Sequence, residues 1–324
     1  MTDFPKDLFD LSTTELLTPI SQAVTFRRQL IHYPGFVGAI QAVERCHAMG
    51  RHKLEEPDCL LVTGVSGCGK STLRKTYADR HPRVELEDRT VIPVLHLELP
   101  SQPTIKNVAE RILMAMEDPF AARGSAESKT ARIIKLLAEC RVELVILDEF
   151  QHFVDRGRGV VDYKIADWLK QIINAARVPF VLMGLPRCER ILEANEQLRR
   201  RFSARFELKP FSVRTKESAR EFKRILSTLN EELPFPDRSV IAGADVVSMM
   251  FYATNGLIDY LIKLVSKGIE IAANEERNQI DLNVLARAFS LAIFQQCSDE
   301  TNPFHPDFIR RVLNHQGEPF HGYA

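Results

Sequence analysis

Residues 64–71 read Gly-Val-Ser-Gly-Cys-Gly-Lys-Ser and match the pattern Gly-x-x-x-x-Gly-Lys-Ser/Thr in full. An apolar stretch at 59–63 predicts a strand before the match, and residues 70–79 predict a helix after it. In this context the glycines let backbone N–H groups face a phosphate, and the helix N-terminus adds the positive end of a dipole. We therefore expect a phosphate-binding loop that binds ATP.

The polar side chains of this loop have separate expected tasks. The Lys70 amine is expected to reach the β- and γ-phosphates, and the Ser71 hydroxyl to bind Mg²⁺. A chance match is the alternative, and the flanking strand and helix argue against it. The residues expected around the nucleotide are Gly64, Val65, Ser66, Gly67, Cys68, Gly69, Lys70, Ser71 and Thr72.

Two neighbouring acids end a second apolar stretch, since residues 144–149 read Leu-Val-Ile-Leu-Asp-Glu. In a nucleoside triphosphatase the first acid, here Asp148, holds Mg²⁺ through water. The second, Glu149, would polarise the attacking water. Taken alone, an acidic strand end that binds nothing is the better interpretation. Because the pair follows the phosphate-binding loop by about eighty residues, we expect an ATPase with Glu149 and Lys70 as catalytic residues.

Strands and helices are predicted to alternate at first and to give way to helices alone after about residue 214. Apolar strands separated by helices are typical of an α/β fold whose parallel sheet is covered on both faces. The predicted strands are 59–63, 91–99, 142–147 and 179–183, and the predicted helices are 36–49, 70–79, 104–116, 129–140, 160–176, 215–230, 239–253, 257–273 and 282–296. The expected domains are an irregular N-terminal extension at 1–35, an α/β nucleotide-binding core at 36–210, a helical lid at 211–300 and a tail at 301–324.

The composition limits the class of protein. The 324 residues are 45% hydrophobic and 27% charged, which excludes a disordered tail protein and a disulfide-rich miniprotein. Lys and Arg number 43, as do Asp and Glu, so any nucleic-acid binding depends on local basic patches. The six cysteines form no Cys-x-x-Cys pair, which favours a reducing compartment and argues against structural zinc. Without a signal peptide or a membrane-spanning apolar run, we expect a cytoplasmic protein that has no membrane partner.

A basic segment follows the last predicted strand, and residues 199–206 read Arg-Arg-Arg-Phe-Ser-Ala-Arg-Phe. Between Arg187 and Arg224, twelve Lys and Arg residues stand against six Asp and Glu residues. A solvated basic face is the ordinary interpretation of such a run. The other is an arginine finger that acts in trans on the nucleotide of a neighbouring subunit, which predicts a ring or helical oligomer. The finger candidates are Arg201 first, then Arg200 and Arg205.

Together these segments resemble the AAA+ ATPases and, within them, the TnsC/TniB family of transposition regulators, over about residues 35–290. The more specific segments are Val-Glu-Leu-Val-Ile-Leu-Asp-Glu-Phe-Gln-His at 142–152, Met-Gly-Leu-Pro at 183–186 and Glu-Gln-Leu-Arg-Arg-Arg-Phe at 196–202. The stretch Val-Leu-His-Leu-Glu-Leu-Pro at 94–100, with Ser-Gln-Pro-Thr-Ile-Lys after it, is also similar to this family.

The resemblance implies a bacterial ATPase that uses ATP and Mg²⁺ and assembles around double-stranded DNA without reading its sequence. The oligomer would be a ring or a filament with about six or seven subunits per ring or turn. It would bridge a target-selection protein of the TniQ type and a DDE-type transposase, with slow ATP hydrolysis as the switch.

The resemblance also implies where DNA is contacted. In such proteins the DNA-facing groups lie in two loops between the phosphate-loop helix and the acidic strand, which by position indicates Lys106, Arg123 and Ser125. Lys and Arg would contact phosphates, and the Ser125 hydroxyl or a backbone N–H would do likewise. The alternative is that Lys106 is an ordinary first-turn helix residue and Arg123 an ordinary loop charge.

Two positions depart from the AAA+ pattern. AAA+ proteins usually carry a polar residue at the end of the strand before the arginine region, where residues 181–185 here read Val-Leu-Met-Gly-Leu. Their lid usually carries Arg in a Gly-x-x-Arg turn, where Asp259 follows Gly256 here. Both departures predict slow turnover, which suits a switch better than a motor. Lys263, one helical turn further on, is the available substitute.

Two other functions stay open on the sequence alone. A helicase loader or replication initiator predicts a dedicated DNA-binding domain, for which the helical lid leaves little sequence. A nucleotide-switched signalling or scaffold ATPase would need no DNA-facing loops. The tail from residue 302 has aromatic residues among prolines and charges, and it is either a docking segment for a partner or a segment that folds back on the lid.

Overall fold

The computed structural model describes residues 13–52, 54–156, 163–193 and 195–322. They form two compact units. The α/β unit is Pro34–Lys209, and the helical unit consists of the described residues up to Tyr33 together with those from Pro210 onward.

A five-stranded parallel sheet forms the centre of the α/β unit. Its strands are β1 (Leu60–Thr63), β4 (Val94–Glu98), β5 (Leu144–Asp148), β6 (Phe180–Gly184) and β7 (Ala204–Glu207). Their order across the sheet is β4-β5-β6-β1-β7. Every residue of the three central strands is buried, so both faces of the sheet are covered, as the apolar runs predict. The predicted α/β fold with a parallel sheet is confirmed.

Helices connect these strands. In chain order through the α/β unit, after α1 (Thr13–Arg28) of the helical unit, they are α2 (Pro34–Arg51), α3 (Lys70–Asp79), α4 (Ile105–Ala115), α5 (Ala126–Glu139), α6 (His152–Arg156), α7 (Tyr163–Ala176), α8 (Glu189–Glu193) and α9 (Glu196–Arg201). Helix α3 has the predicted bounds. Helix α4 begins after a Thr104 cap whose hydroxyl accepts the Asn107 N–H at 3.1 Å. Such a cap satisfies an N–H that has no partner inside the helix.

The predicted strand 91–99 is wrong as a single element. The chain forms a short hairpin of β2 (Val84–Glu85) and β3 (Thr90–Val91), and only β4 joins the main sheet. Pro93 stands between β3 and β4. Because proline has no N–H to donate, it interrupts a continuous strand.

The segment after β6 is more regular than the sequence predicts. It contains a 3-10 turn at Pro186–Cys188, then α8, α9 and β7. The basic segment 199–206 therefore spans the end of a helix and most of a strand. β7 pairs with β1 alone among the described strands, and three of its four residues are exposed. An exposed edge strand needs no apolar pattern, which is why the sequence did not indicate it.

The helical unit contains α1, α10 (Lys216–Glu231), α11 (Val246–Thr254), α12 (Ile258–Asn274) and α13 (Leu282–Ala292). The four predicted lid helices are present, although Val240–Ala242 forms a 3-10 turn separate from α11. Within the segment expected to be irregular, α1 packs against α12 and buries Ala23 and Phe26. Pro19 lies inside α1, which weakened the local helix signal. Among the described residues, no helix has both the length and the apolar character that crossing a bilayer requires.

The turn between α11 and α12 contains Gly256, the glycine that Asp259 follows by three residues. Gly256 has a φ of 69°, and a Cβ there would lie 2.0 Å from the Phe211 carbonyl oxygen. The close approach of this backbone therefore requires glycine. Lys263 Nζ lies 2.7 Å from Asp259 Oδ2, one helical turn apart on α12. The cation considered as a substitute for the missing lid arginine is thus paired with the acid at that position.

The tail folds back on the helical unit over residues 302–322. Phe304, Leu313 and Phe320 are buried, and the Phe320 ring lies edge-on to Tyr260 on α12 at 5.3 Å between centroids. Asn302 Nδ2 donates to the Ala286 carbonyl at 3.0 Å. Of the two interpretations of the tail, the described residues adopt the folded one.

Candidate active site

The phosphate-binding loop joins β1 to α3 as predicted. Gly67 and Gly69 have φ angles of 78° and 99°, in the region that glycine adopts without strain. Gly64 is required by packing, because a Cβ there would lie 2.5 Å from Cys68 Sγ and 2.6 Å from the Leu208 carbonyl oxygen. The loop is therefore a tight backbone turn that ends in a helix N-terminus, the arrangement that binds phosphate.

Side chains complete the loop. Lys70 is buried, and its Nζ donates to the carbonyls of Gly64 at 2.8 Å and Val65 at 3.0 Å. The amine thus lies across the start of the loop. Ser71 is exposed at the first turn of α3, beside Lys70. Cys68 is buried, and burial raises the pKa of its thiol, so this residue fills space in the loop as a neutral side chain.

Asp148 ends β5 and is completely buried. Its Oδ2 accepts from Arg74 Nε at 3.2 Å, and its Oδ1 accepts from the Glu149 N–H at 2.9 Å. Arg74 Nη1 also contacts His96 Nδ1 at 3.0 Å. Burial, and then the Arg74 charge, lower the pKa of His96. A neutral ring accepts this hydrogen bond, so Arg74 joins α3 to both β4 and β5.

Glu149 is half-buried and lies in the left-handed region, with a φ of 62°. Gln151 Nε2 donates to Glu149 Oε2, and His152 Nε2 lies 3.7 Å from the same oxygen. Gln151 Oε1 accepts the Leu185 N–H at 3.1 Å. The carboxylate is therefore held by the short segment that follows it and, through Gln151, by the end of β6.

The end of β6 connects the loop to the acids. Gly64 N donates to Gly184 O at 3.2 Å, and Phe150 N donates to Met183 O at 2.9 Å. The loop and the acidic pair therefore lie at the same edge of the sheet, where the carboxyl ends of parallel strands meet. Ser71 and Asp148 supply oxygen ligands of the type that Mg²⁺ prefers. Each Asp148 oxygen keeps a further lone pair for a metal-bound water, so the donor set fits the ion.

Arg201 lies at the opposite end of the strands, where β1 begins. Its carbonyl accepts the Cys59 N–H at 2.8 Å, just before β1, whereas the phosphate-binding loop follows β1. A four-residue strand separates the two ends by roughly 13 Å at about 3.3 Å per residue. The Arg201 side chain is 12% exposed, and its Nη2 donates to Glu56 Oε1 at 3.0 Å.

The other two finger candidates have different surroundings. Arg200 is 77% exposed and donates to Glu196 Oε1 at 2.6 Å, one turn earlier on α9. Arg205 lies in β7 with Nη1 3.4 Å from Glu189 Oε2. Arg200 and Arg201 line an open depression of about 360 Å³ with Lys170 and Asn174 of α7. Of the three candidates, Arg200 has the most freedom to reach another chain.

Comparison with protein-family models finds one described as "Bacterial TniB protein", which matches residues 24–213. The chain belongs to the TniB family. The match covers more than half of this TniB-family chain and includes the loop, the acidic pair and the arginine segment. A comparison with curated protein sequences found no match.

Solved structures similar to this TniB-family chain include Cdc6p and ORC proteins. Cdc6p from Pyrobaculum aerophilum is 16% identical, with a TM-score of 0.60, over 86% of this chain and 72% of that one. ORC1 from Aeropyrum pernix, solved with DNA, is 19% identical, with a TM-score of 0.59, over 86% and 69%. ORC2 from the same organism, solved with ADPNP and ADP, is 15% identical, with a TM-score of 0.58, over 81% and 68%. The fold is therefore that of the AAA+ P-loop ATPases.

The DNA-contact candidates of this TniB-family chain lie at the two ends of the α4–α5 hairpin. Lys106 is exposed in the first turn of α4. Arg123 is exposed in the loop between α4 and α5, with its guanidinium 5.3 Å from the centre of the Phe120 ring. Ser125 caps α5, where its Oγ accepts the Ser128 N–H at 3.3 Å. The Ser125 O–H also donates to the Glu127 carboxylate and lowers the pKa of that acid.

Arg74 and Gln151 are the site residues that sequence reasoning missed. A signal for Arg74 existed, because residues four apart share one face of a helix and Arg74 follows Lys70 by four. Gln151 stood inside the family-like segment 142–152 without an assigned task. Its contact with Leu185 depends on the pairing of β5 with β6, which the sequence did not specify.

Proposed function

We propose that this TniB-family protein is an ATP-dependent, DNA-binding oligomeric regulator of transposition. The observation that carries the proposal is the separation of Arg200 and Arg201 from the phosphate-binding loop of the same chain. Each chain then brings an incomplete nucleotide site, which a neighbouring subunit completes. Family membership supports transposition as the process that this assembly serves.

The chemistry assigned to the site follows from its side chains. The loop and Lys70 bind the phosphates of ATP, while Ser71 and Asp148 hold Mg²⁺, which neutralises phosphate charge. Glu149 polarises the attacking water. An arginine of the neighbour, Arg201 or Arg200, stabilises the charge of the transition state. Hydrolysis then removes the γ-phosphate that the neighbour contacts and weakens the assembly.

DNA is assigned to the α4–α5 side of the unit. Lys106 and Arg123 would contact phosphates, and the Ser125 hydroxyl or a backbone N–H would donate a further hydrogen bond. None of these contacts reads a base. A weak contact repeated around an oligomer binds firmly through multivalency. The assembly would present one side to a TniQ-type target-selection protein and the other to a transposase, in a bacterial cytoplasm.

Negative-stain imaging with a non-hydrolysable ATP analogue, with and without double-stranded DNA, tests this proposal. We expect rings or filaments threaded by DNA, and none with the Lys70→Ala variant. The exposed Lys75 on the same helix gives a matched control, because Lys75→Ala removes an equal charge outside the loop. Single particles that never associate in the presence of nucleotide and DNA would contradict the proposal.

The fold likeness to Cdc6p and ORC1 supports an initiator-type or helicase-loading ATPase as the second candidate function. Recruitment separates the two, because DNA-bound assemblies should bind a cognate transposase for the first function and a replicative helicase for the second. Oligomers that form with ATP and ignore DNA would instead favour the signalling or scaffold function.

A further inference from the structure

The Gln151 side chain lies where a polar group is otherwise missing from the site. Gln151 is 4% exposed, directly after the acidic pair. At the end of β6, residues 181–185 carry no polar side chain. The Gln151 amide reaches this point from the neighbouring strand's end and accepts the Leu185 N–H at 3.1 Å.

Gly184 provides the space for this amide. A Cβ on Gly184 would lie 2.7 Å from Gln151 Oε1 and 2.4 Å from Cys188 Sγ. Gly184 does not adopt a positive φ, so the requirement for glycine is a matter of space. The Gln151 amide therefore occupies space that a side chain at position 184 would fill.

The nitrogen of the Gln151 amide forms a hydrogen bond with Glu149. Nε2 donates to Glu149 Oε2 while Oε1 stays anchored to β6. An amide is a neutral donor, so it orients the carboxylate without supplying a proton or cancelling its charge. Glu149 also has a positive φ, a backbone conformation that a residue other than glycine keeps only when its surroundings hold it. Since Gly184 O accepts the Gly64 N–H, the support is tied to the phosphate-binding loop as well.

We propose that Gln151 is the positioning residue of Glu149 and orients this carboxylate toward the water that attacks ATP. The inference rests on the proposed ATPase function and deepens it. Gln151 takes the place of a polar side chain at the end of β6, and Gly184 keeps that place open. Misplacing a catalytic group by about 1 Å costs up to roughly a hundredfold in rate.

Two variants test the contacts of Gln151. Gln151→Met has a similar length and removes both hydrogen bonds, whereas Gln151→Asn keeps an amide on a side chain that is one methylene shorter and cannot span Leu185 and Glu149. We expect both to lower kcat by about 10- to 100-fold, with KM and the Kd of a fluorescent ADP analogue within about twofold of the parent. Gln41→Met, at an exposed position of α2, is the matched control and should leave all three unchanged.

A double-variant cycle distinguishes positioning from a structural role. If Gln151 acts through Glu149, Gln151→Met should reduce the single-turnover rate little further in a Glu149→Gln background, because groups that act as a unit are not additive. A full additional loss, a parallel loss of ADP binding, or an unchanged kcat in Gln151→Met would overturn the inference. Absence of hydrolysis by the parent protein in its assembled form would instead contradict the proposed function.

Discussion

Arg74 on α3 lies 3.2 Å from Asp148 on β5, measured from Nε to Oδ2. Asp148 is completely buried, and an ionised carboxylate in such a place needs a partner. Helix α3, which begins at the phosphate-binding loop, therefore supplies Arg74 as the cation beside Asp148, the acid proposed to hold Mg²⁺. This pair joins the loop helix to the sheet.

Replacing Arg74 with Met should lower the free energy of unfolding by about 3–5 kcal/mol, the usual cost of removing one partner of a buried ion pair. Urea denaturation without nucleotide measures the loss. The double variant Arg74→Met, Asp148→Asn removes the charge together with its partner and should recover part of the stability. Equal losses in the single and the double variant would show that the pair is not what stabilises this region.

Replacing Glu149 with Gln should prolong the life of the ATP-bound assembly. The amide keeps the shape of the carboxylate but cannot act as a base, so hydrolysis stops while binding through Lys70 continues. Light scattering after removal of free ATP measures how fast DNA-bound oligomers dissolve. If Glu149→Gln assemblies dissolve as fast as the parent, hydrolysis is not the switch.

Mixing two inactive variants tests whether an arginine acts in trans. Lys70→Ala chains should lose nucleotide binding but keep their arginines, and Arg201→Ala chains should bind nucleotide without the first finger candidate. An equimolar mixture should regain part of the ATPase rate, because each Arg201→Ala site can meet an intact neighbour.

Parallel mixtures with Arg200→Ala and Arg205→Ala assign the finger among the three arginines. Arg201 also pairs with Glu56, so a structural role predicts a lower melting temperature for Arg201→Ala and no recovery on mixing. Recovery with Arg200→Ala alone would move the finger to that exposed side chain.

Lys106→Ala should weaken DNA binding equally for unrelated sequences. Because the variant removes one phosphate-binding charge per subunit, the slope of log Kobs against log salt should also become shallower by about 1 for each phosphate released. Fluorescence anisotropy with two unrelated duplexes at several salt concentrations measures both effects. Lys135, 72% exposed on α5, supplies the control Lys135→Ala; an equal effect of both variants would argue against a specific role of Lys106 at the DNA.

The tail should contribute stability that depends on pH through Glu318. Hydrogen bonds from Arg311 lower the pKa of Glu318 to about 2 from a usual 4.5. A depressed carboxyl pKa stabilises the folded state above pH 4.5, and this contribution is lost as the pH falls toward 2. Glu318→Gln should cost about 1.5–3 kcal/mol at pH 7, and the difference should shrink over that window.

Thermal unfolding at a series of pH values measures the effect of Glu318→Gln. Glu300→Gln, at an exposed acid just before the tail, is the control and should follow the parent at every pH. A difference for Glu318→Gln that stays constant down to pH 2 would show that its effect is not electrostatic.

Local patterns in the sequence were sufficient for much of the site. The loop at 64–71 and the acids at 148–149 are contiguous, and their flanking strand and helix follow from apolar runs and periodicity. The lid helices were predicted for the same reason. Helix α1 and strand β7 were not, because α1 owes its position to α12 and β7 owes its hydrogen bonds to β1.

Contacts between distant segments could not be predicted. Gln151 meets Leu185, Arg74 meets Asp148, and Phe320 meets Tyr260 across 34, 74 and 60 residues. Each pair depends on which strands or helices become neighbours, and a single sequence without related sequences holds no direct record of that choice.

The sequence by itself determined which groups this protein carries: a glycine-rich loop, two neighbouring acids and a cluster of arginines. The tertiary structure decided how those groups are arranged. The loop and the acids lie at the carboxyl ends of the strands, and Arg201 lies at the opposite end. The physical reason is that a motif is set by bonds along the chain, whereas its partners are set by strand order and burial. That order anchors Gln151 to the end of β6 and keeps Arg201 away from the loop of its own chain.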